Sequence, residues 1–131
     1  MIGIDTNVLL RFLIADDLNQ FEKAKHLLYE KSSNEKIRVS NIVLMEVIWV
    51  LRRVYQQAET AIVDALEILL AVPSIEFEGV ETVTRVIQKD MPLSMLSDGL
   101  IAESNFKAGC DSTLTFDQNA AASIPGMELV Q

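Results

Sequence analysis

Ile2-Gly3-Ile4-Asp5-Thr6-Asn7-Val8-Leu9-Leu10 opens with an apolar run too short for a helix, stops on a carboxylate, and continues into a second apolar run long enough to be helical. This reads as a buried β-strand that delivers Asp5 to its C-terminal end, where the chain turns into a helix. In open α/β sheets the crevice beyond the carboxyl ends of the strands is where ligands bind, so a carboxylate there is placed to hold a metal ion. Asp5, Thr6 and Asn7 are also all good helix caps, and that structural role stays open at this point.

Working outward, the residues alternate between short strand-like and longer helix-like segments. Helices are expected over 6–13, 18–31, 41–57, 59–70, 80–89, 94–107 and 117–122, with Ser32-Ser33-Asn34 ending the second. Strands are expected over 37–39, 75–78, 110–116 and 127–130. This alternation predicts a mostly parallel sheet covered by helices on both faces, in a single domain spanning residues 1–131. No repeat, low-complexity tract or linker interrupts it.

Composition narrows the function. Half of the 131 residues are hydrophobic, and some of that surplus is expected to be buried between subunits. Eleven basic residues face 19 acidic ones, a net charge of −8, which argues against indiscriminate nucleic-acid binding. The excess acid suits carboxylates gathered around divalent cations; two such ions would bring the formal charge to −4. The lone cysteine, Cys110, excludes an intramolecular disulfide or a thiolate cluster and reads as a buried, inert thiol on a strand. No basic segment leads into an apolar stretch, and the longest apolar run, 42–51, is too short to span a membrane. A cytoplasmic protein without membrane attachment is expected.

Four carboxylates have awkward placements. Glu46 is the only charge in the run 42–51, and its neighbours at helical spacing are Ile42, Val43, Trp49 and Val50. A buried glutamate there would need a cation, because burying an unpaired carboxylate costs several kcal/mol. Arg52 and Arg53 are the structural alternative, but they lie ~9–10 Å further along the helix axis. Asp98 precedes the apolar stretch Gly99-Leu100-Ile101-Ala102, and Asp117 follows Thr113-Leu114-Thr115-Phe116, standing at a strand end as Asp5 does. Each could be a cap or a helix-dipole partner. The set matches metal-assisted phosphodiester cleavage, in which hard divalent ions take oxygen ligands. His26 sits in a polar helix as a surface residue, so zinc or histidine-based chemistry has no residues to use.

The segments IDTNVLLRFLIADD, SNIVLMEVIWVL, SDGLIAESNFKAGC and TLTFDQNAA occur in the order found in PIN-domain ribonucleases, and the chain most resembles the VapC toxins of bacterial toxin–antitoxin pairs. That resemblance implies a three-layer α/β/α sandwich on a central parallel sheet. It implies a Mg²⁺- or Mn²⁺-dependent endoribonuclease with one or two ions on Asp5, Glu46, Asp98 and Asp117, supported by Thr6, Asn7 and Thr115. Asn7 would orient Asp5. It further implies an RNA substrate, a homodimer and inhibition by a cognate antitoxin. Arg11, Arg52, Arg53 and Lys107 are candidate phosphate contacts. Many relatives carry alanine after the third acid where this chain has Gly99, which either loosens Asp98 or suits a helix start. Two other readings remain: a PIN-fold protein-binding module with idle carboxylates, and a phosphatase of the haloacid-dehalogenase type. The latter needs an Asp-x-Asp pair, and the residue two after Asp5 is Asn7.

Overall fold

The computed structural model describes residues 1–31 and 34–131, leaving the side chain of residue 31 out. The chain divides into two compact units, Met1–Glu78 and Gly79–Gln131. Every strand pairing in either unit is parallel, as the alternation of elements requires.

In the first unit, β1 (Ile2–Gly3) leads into α1 (Thr6–Leu13) and α2 (Leu18–His26), then β2 (Ile37–Val39), α3 (Asn41–Arg53), α4 (Glu59–Leu70) and β3 (Ile75–Phe77). The sheet order is β1-β2-β3, with Ile2 opposite Ile37 and Val39 opposite Phe77. Helix α1 packs on α2 and α3. Leu9, Ile37, Leu44, Leu51, Ile62 and Leu69 are wholly buried and carry the hydrophobic stabilisation of this unit. Asp17 and Ser40 cap α2 and α3 by accepting from the Gln20 and Val43 amides.

The second unit runs through α5 (Val80–Ile87), a 3₁₀ turn at Leu93–Met95, α6 (Leu96–Lys107), β4 (Thr113–Thr115), α7 (Gln118–Ser123) and β5 (Met127–Leu129). Thr113 pairs with Met127 and Thr115 with Leu129. Helix α5 packs on α6, around buried Val83, Val86, Leu96 and Leu100.

Several sequence expectations are corrected. The first strand is not buried: it is two residues long at the margin of its sheet, with Ile2 38% exposed and Gly3 exposed, and only Ile4 half-buried. The helix expected over 18–31 is α-helical only to His26 and then widens into a π-helical turn, Leu27–Lys31. Its expected terminator falls partly on residues 32–33, outside the described residues. Helices α3 and α5 stop short of residues 57 and 89 because Gln56 and Lys89 turn left-handed, at φ 51° and 64°. Neither is a glycine, so composition carries no stop signal there. The fourth strand begins at Thr113 rather than 110, leaving Cys110 exposed on the preceding loop instead of buried. No helix among the described residues is long and apolar enough to cross a membrane.

Candidate active site

Asp5 and Asp117 occupy equivalent local settings. Each follows a parallel strand by two residues and directly precedes a helix, α1 or α7. Asp5 Oδ1 accepts from the Val8 amide at 3.2 Å, and Asp117 Oδ1 accepts from the Ala120 amide at 3.0 Å. Both are helix caps, worth about 1 kcal/mol each. One oxygen of each carboxylate is therefore fixed by backbone, and the other has no protein hydrogen-bond donor among the described residues. Capping belongs to Asp5 itself, not to Thr6 or Asn7. Asn7 is exposed and makes no hydrogen bond to Asp5 among the described residues.

Thr6 turns elsewhere. Its hydroxyl donates to Glu46 Oε2 at 3.2 Å, joining the first turn of α1 to the middle of α3. Glu46 is exposed, contrary to the expectation of burial. Its apolar companions are themselves on the surface, Ile42 74% and Trp49 59% exposed, while the buried stripe of α3 is Leu44, Val47, Ile48 and Leu51. Neighbours in sequence therefore misstated its surroundings: Glu46 does not require a cation to pay for desolvation.

In the second unit Asp98 is half-buried in the first turn of α6, where the helix dipole favours a negative charge. Thr115 Oγ1 accepts from the Asp117 amide at 3.0 Å and so steadies the strand-to-helix turn. Among the described residues none of Asp5, Glu46, Asp98 or Asp117 is ion-paired to a lysine, arginine or histidine.

Two of the four expected phosphate contacts are otherwise engaged. Arg11 bonds Asp16 at 3.1 Å and Gln20 at 2.8 Å, bracing the turn from α1 to α2. Lys107 bonds Glu103 Oε2 at 2.6 Å. Arg52 and Arg53 are exposed in the last turn of α3, without an ion pair among the described residues. His26 is on the surface as expected, paired with Glu30 at 2.6 Å.

Sequence reasoning passed over Glu103, the one buried acid of the second unit. Its Oε1 accepts from the Thr82 amide at 2.8 Å and from the Thr82 hydroxyl at 2.7 Å, which fixes α6 against α5. Burial pushes its pKa up, but the hydrogen bonds from Lys107 and Thr82 and the Lys107 charge outweigh that and hold it below the ordinary glutamate value. The spacing of Glu103 and Lys107, four apart on a helix, was the available signal. Gly99 also has a definite role: a Cβ there would lie 2.7 Å from Thr82 Cγ2, so glycine is what lets the two helices approach. A cavity of about 330 Å³ opens beside Glu103, Cys110 and Arg85, and its lining includes neither Asp98 nor Asp117.

The donor chemistry suits a hard divalent cation, since all four groups are carboxylates with oxygen to spare. Among the described residues, no three His, Cys, Asp or Glu side chains form a group that could hold a metal. Asp5 and Glu46 lie in the first unit, Asp98 and Asp117 in the second.

The family model described as PIN domain matches residues 2–123. The chain belongs to the PIN domain family. No curated protein matches it. The α/β class and parallel strands are those of a PIN-like fold, as the sequence led us to expect. PIN domains are generally nucleases and typically use divalent metal ions. The matched span of this PIN domain takes in all four acids together with Thr6, Asn7 and Thr115.

Proposed function

We propose that this PIN domain is a Mg²⁺- or Mn²⁺-dependent endoribonuclease and acts as the toxin of a toxin–antitoxin pair, in the manner of VapC. The observation that carries the reading is the family match over residues 2–123, which includes Asp5, Glu46, Asp98 and Asp117. In this proposal the four acids are the ligands of one or two ions, the protein works in the cytoplasm as a homodimer, and a cognate antitoxin restrains it.

When bound, such a cation lowers the pKa of a water and neutralises charge at the phosphate. The protein's own groups do the rest. Asp5 and Asp117 are held by backbone amides through one oxygen, which leaves the other to bind. Thr6 holds Glu46 by its Oε2, and a carboxylate oxygen of the four acids not engaged by the ion accepts the proton of the attacking water. Attack of the water oxygen on phosphorus breaks the bond to the leaving oxygen, which takes a proton from bulk water while the carboxylate returns its own proton to solvent.

The test is RNA cleavage with Mg²⁺ or Mn²⁺ by wild type, Asp5→Asn and Asp98→Asn. Undiminished cleavage by either variant would overturn the assignment. The exposed Ile42, Trp49 and Val54 favour a second reading, a protein-binding module with idle carboxylates. Calorimetric titration with Mn²⁺ separates the two, since an idle site shows no affinity that depends on Asp5 and Asp117.

A further inference from the structure

Helix α6 and strand β4 are consecutive and pack together, so the chain reverses between them through residues 108–112. The start of the helix, which carries Asp98, and the end of the strand, which leads into Asp117, therefore fall at the same end of this pair. At the other end, Asn105 Nδ2 donates to Thr113 Oγ1 at 3.0 Å, a part-buried bond between two side chains. Both partners are anchored by backbone. The Asn105 carbonyl accepts from the Ala108 and Cys110 amides, which closes the helix, and the Thr113 amide donates to the Gly126 carbonyl beside β5. Asparagine is a poor residue for a helix interior, so its cost here is offset by what its amide reaches. Thr82 and Glu103 already hold α6 to α5. Asn105 holds it to β4.

We propose that Asn105 is a positioning residue: its hydrogen bond to Thr113 sets where α6 sits along β4, and so the separation of Asp98 from Asp117. The inference rests on the reading of these two acids as metal ligands. Asp98 lies seven residues before Asn105, two helical turns away on nearly the same face and ~10.5 Å along the axis. Asp117 lies four residues beyond Thr113, ~13 Å along an extended chain. Thr113 and Thr115 point to one face of β4, and Thr115 Oγ1 holds the Asp117 amide, so the path from the Asn105 bond to the second acid is tied as well. Helix and strand are stiff over these lengths, and a slide at Asn105 reaches the acids almost undiminished. A shift of α6 by one residue is ~1.5 Å. Oxygen ligands of a divalent ion must stand within about 0.2 Å of their proper distance. A fraction of that slip takes one acid out of reach of an ion that the other holds.

The full-length protein is titrated calorimetrically with Mn²⁺ alone, and melting in EDTA and RNA cleavage are followed, for wild type, Asn105→Ala, Thr113→Val, their double variant and Thr113→Ser. Thr113→Val keeps the shape of the side chain and suits a strand, so it remains informative if Asn105→Ala fails to fold. The expected result is a Mn²⁺ affinity lowered about tenfold in Asn105→Ala and in Thr113→Val, with no further loss in the double variant. Thr113→Ser keeps the hydroxyl and should bind Mn²⁺ as wild type does. In cleavage, kcat falls by a similar factor while KM stays within about twofold. A bond that served stability alone would lower the melting temperature in EDTA and leave the Mn²⁺ affinity of the folded protein untouched. The inference is overturned by unchanged Mn²⁺ affinity in Asn105→Ala or Thr113→Val, by losses that multiply in the double variant, or by Thr113→Ser falling as far as Thr113→Val. In each of those outcomes the wild type still binds Mn²⁺ and cleaves RNA, so the proposed function stands. A wild type that neither binds Mn²⁺ nor cleaves overturns the proposed function and this inference together.

Discussion

Thr6 and Glu46, 40 residues apart in the chain, are joined by a hydrogen bond of 3.2 Å from hydroxyl to carboxylate. The contact lets the helix that follows the first strand dictate the rotamer of an acid on another helix. A net hydrogen bond at an exposed position is worth about 0.5–1.5 kcal/mol. Thr6→Val is therefore expected to slow cleavage by up to about tenfold, with little change in melting temperature, and Thr6→Ser to recover most of the rate. Steady-state kinetics beside thermal melts check this; equal loss in both variants would show that the hydroxyl does not orient Glu46.

Asp5 caps a helix and, on the proposed function, also binds the metal, and one substitution separates the two roles. Asparagine caps a helix about as well as aspartate, so Asp5→Asn should melt within a few degrees of wild type. Loss of supporting groups around a metal commonly costs 10–100-fold, so removal of a direct ligand should cost at least about 100-fold in cleavage. Asp5→Ala should lose the cap as well, by about 1 kcal/mol. Calorimetry and cleavage assays on the pair measure the two losses independently.

Gly99 is sterically committed. With Thr82 Cγ2 2.7 Å from where a Cβ would sit, Gly99→Ala has to push α5 and α6 apart or force Thr82 off its rotamer. Overpacking of this kind costs about 1–3 kcal/mol. Thr82→Ser removes the offending methyl and keeps the hydroxyl that bonds Glu103, so the double variant should recover part of the loss. Denaturant titrations of the four proteins give the coupling directly. Strictly additive losses would rule out this contact as the cause.

Glu103 ties stability to pH. Its folded pKa lies below its value in the unfolded chain, so its stabilisation is fully present above the ordinary glutamate range and is lost as pH falls through the depressed folded value. Wild type should therefore lose stability on acidification below pH ~4.5 more steeply than Glu103→Gln. Melting temperatures taken from pH 6 downward test it, and parallel curves for the two proteins would be the contrary result.

The setting of two candidate acids at strand-to-helix junctions is local in its signature, and that much was legible. An apolar run ending in aspartate before a helical segment marks Asp5 and Asp117 without any knowledge of the fold. The environment of Glu46 was misread because hydropathy cannot say which way a helix faces; Ile42 and Trp49 look like core and are surface. Gly99 and Glu103 depend on Thr82, 17 and 21 residues away, and no pattern within α6 announces such a partner. The early ends of α3 and α5 escaped because Gln56 and Lys89 adopt a conformation ordinarily left to glycine.

The twin caps bear on the order of events in the life of the protein. Since Asp5 and Asp117 each satisfy an amide of the helix they begin, both strand-to-helix junctions are complete on backbone partners alone. Small metallo-domains whose ligands have no other employment fold only when loaded. On the proposed function this chain separates the two: assembly comes first, and occupancy is a reversible setting imposed on a finished scaffold. Chelation is expected to leave its helical circular dichroism intact, and cation added back is expected to restore cleavage without a refolding step.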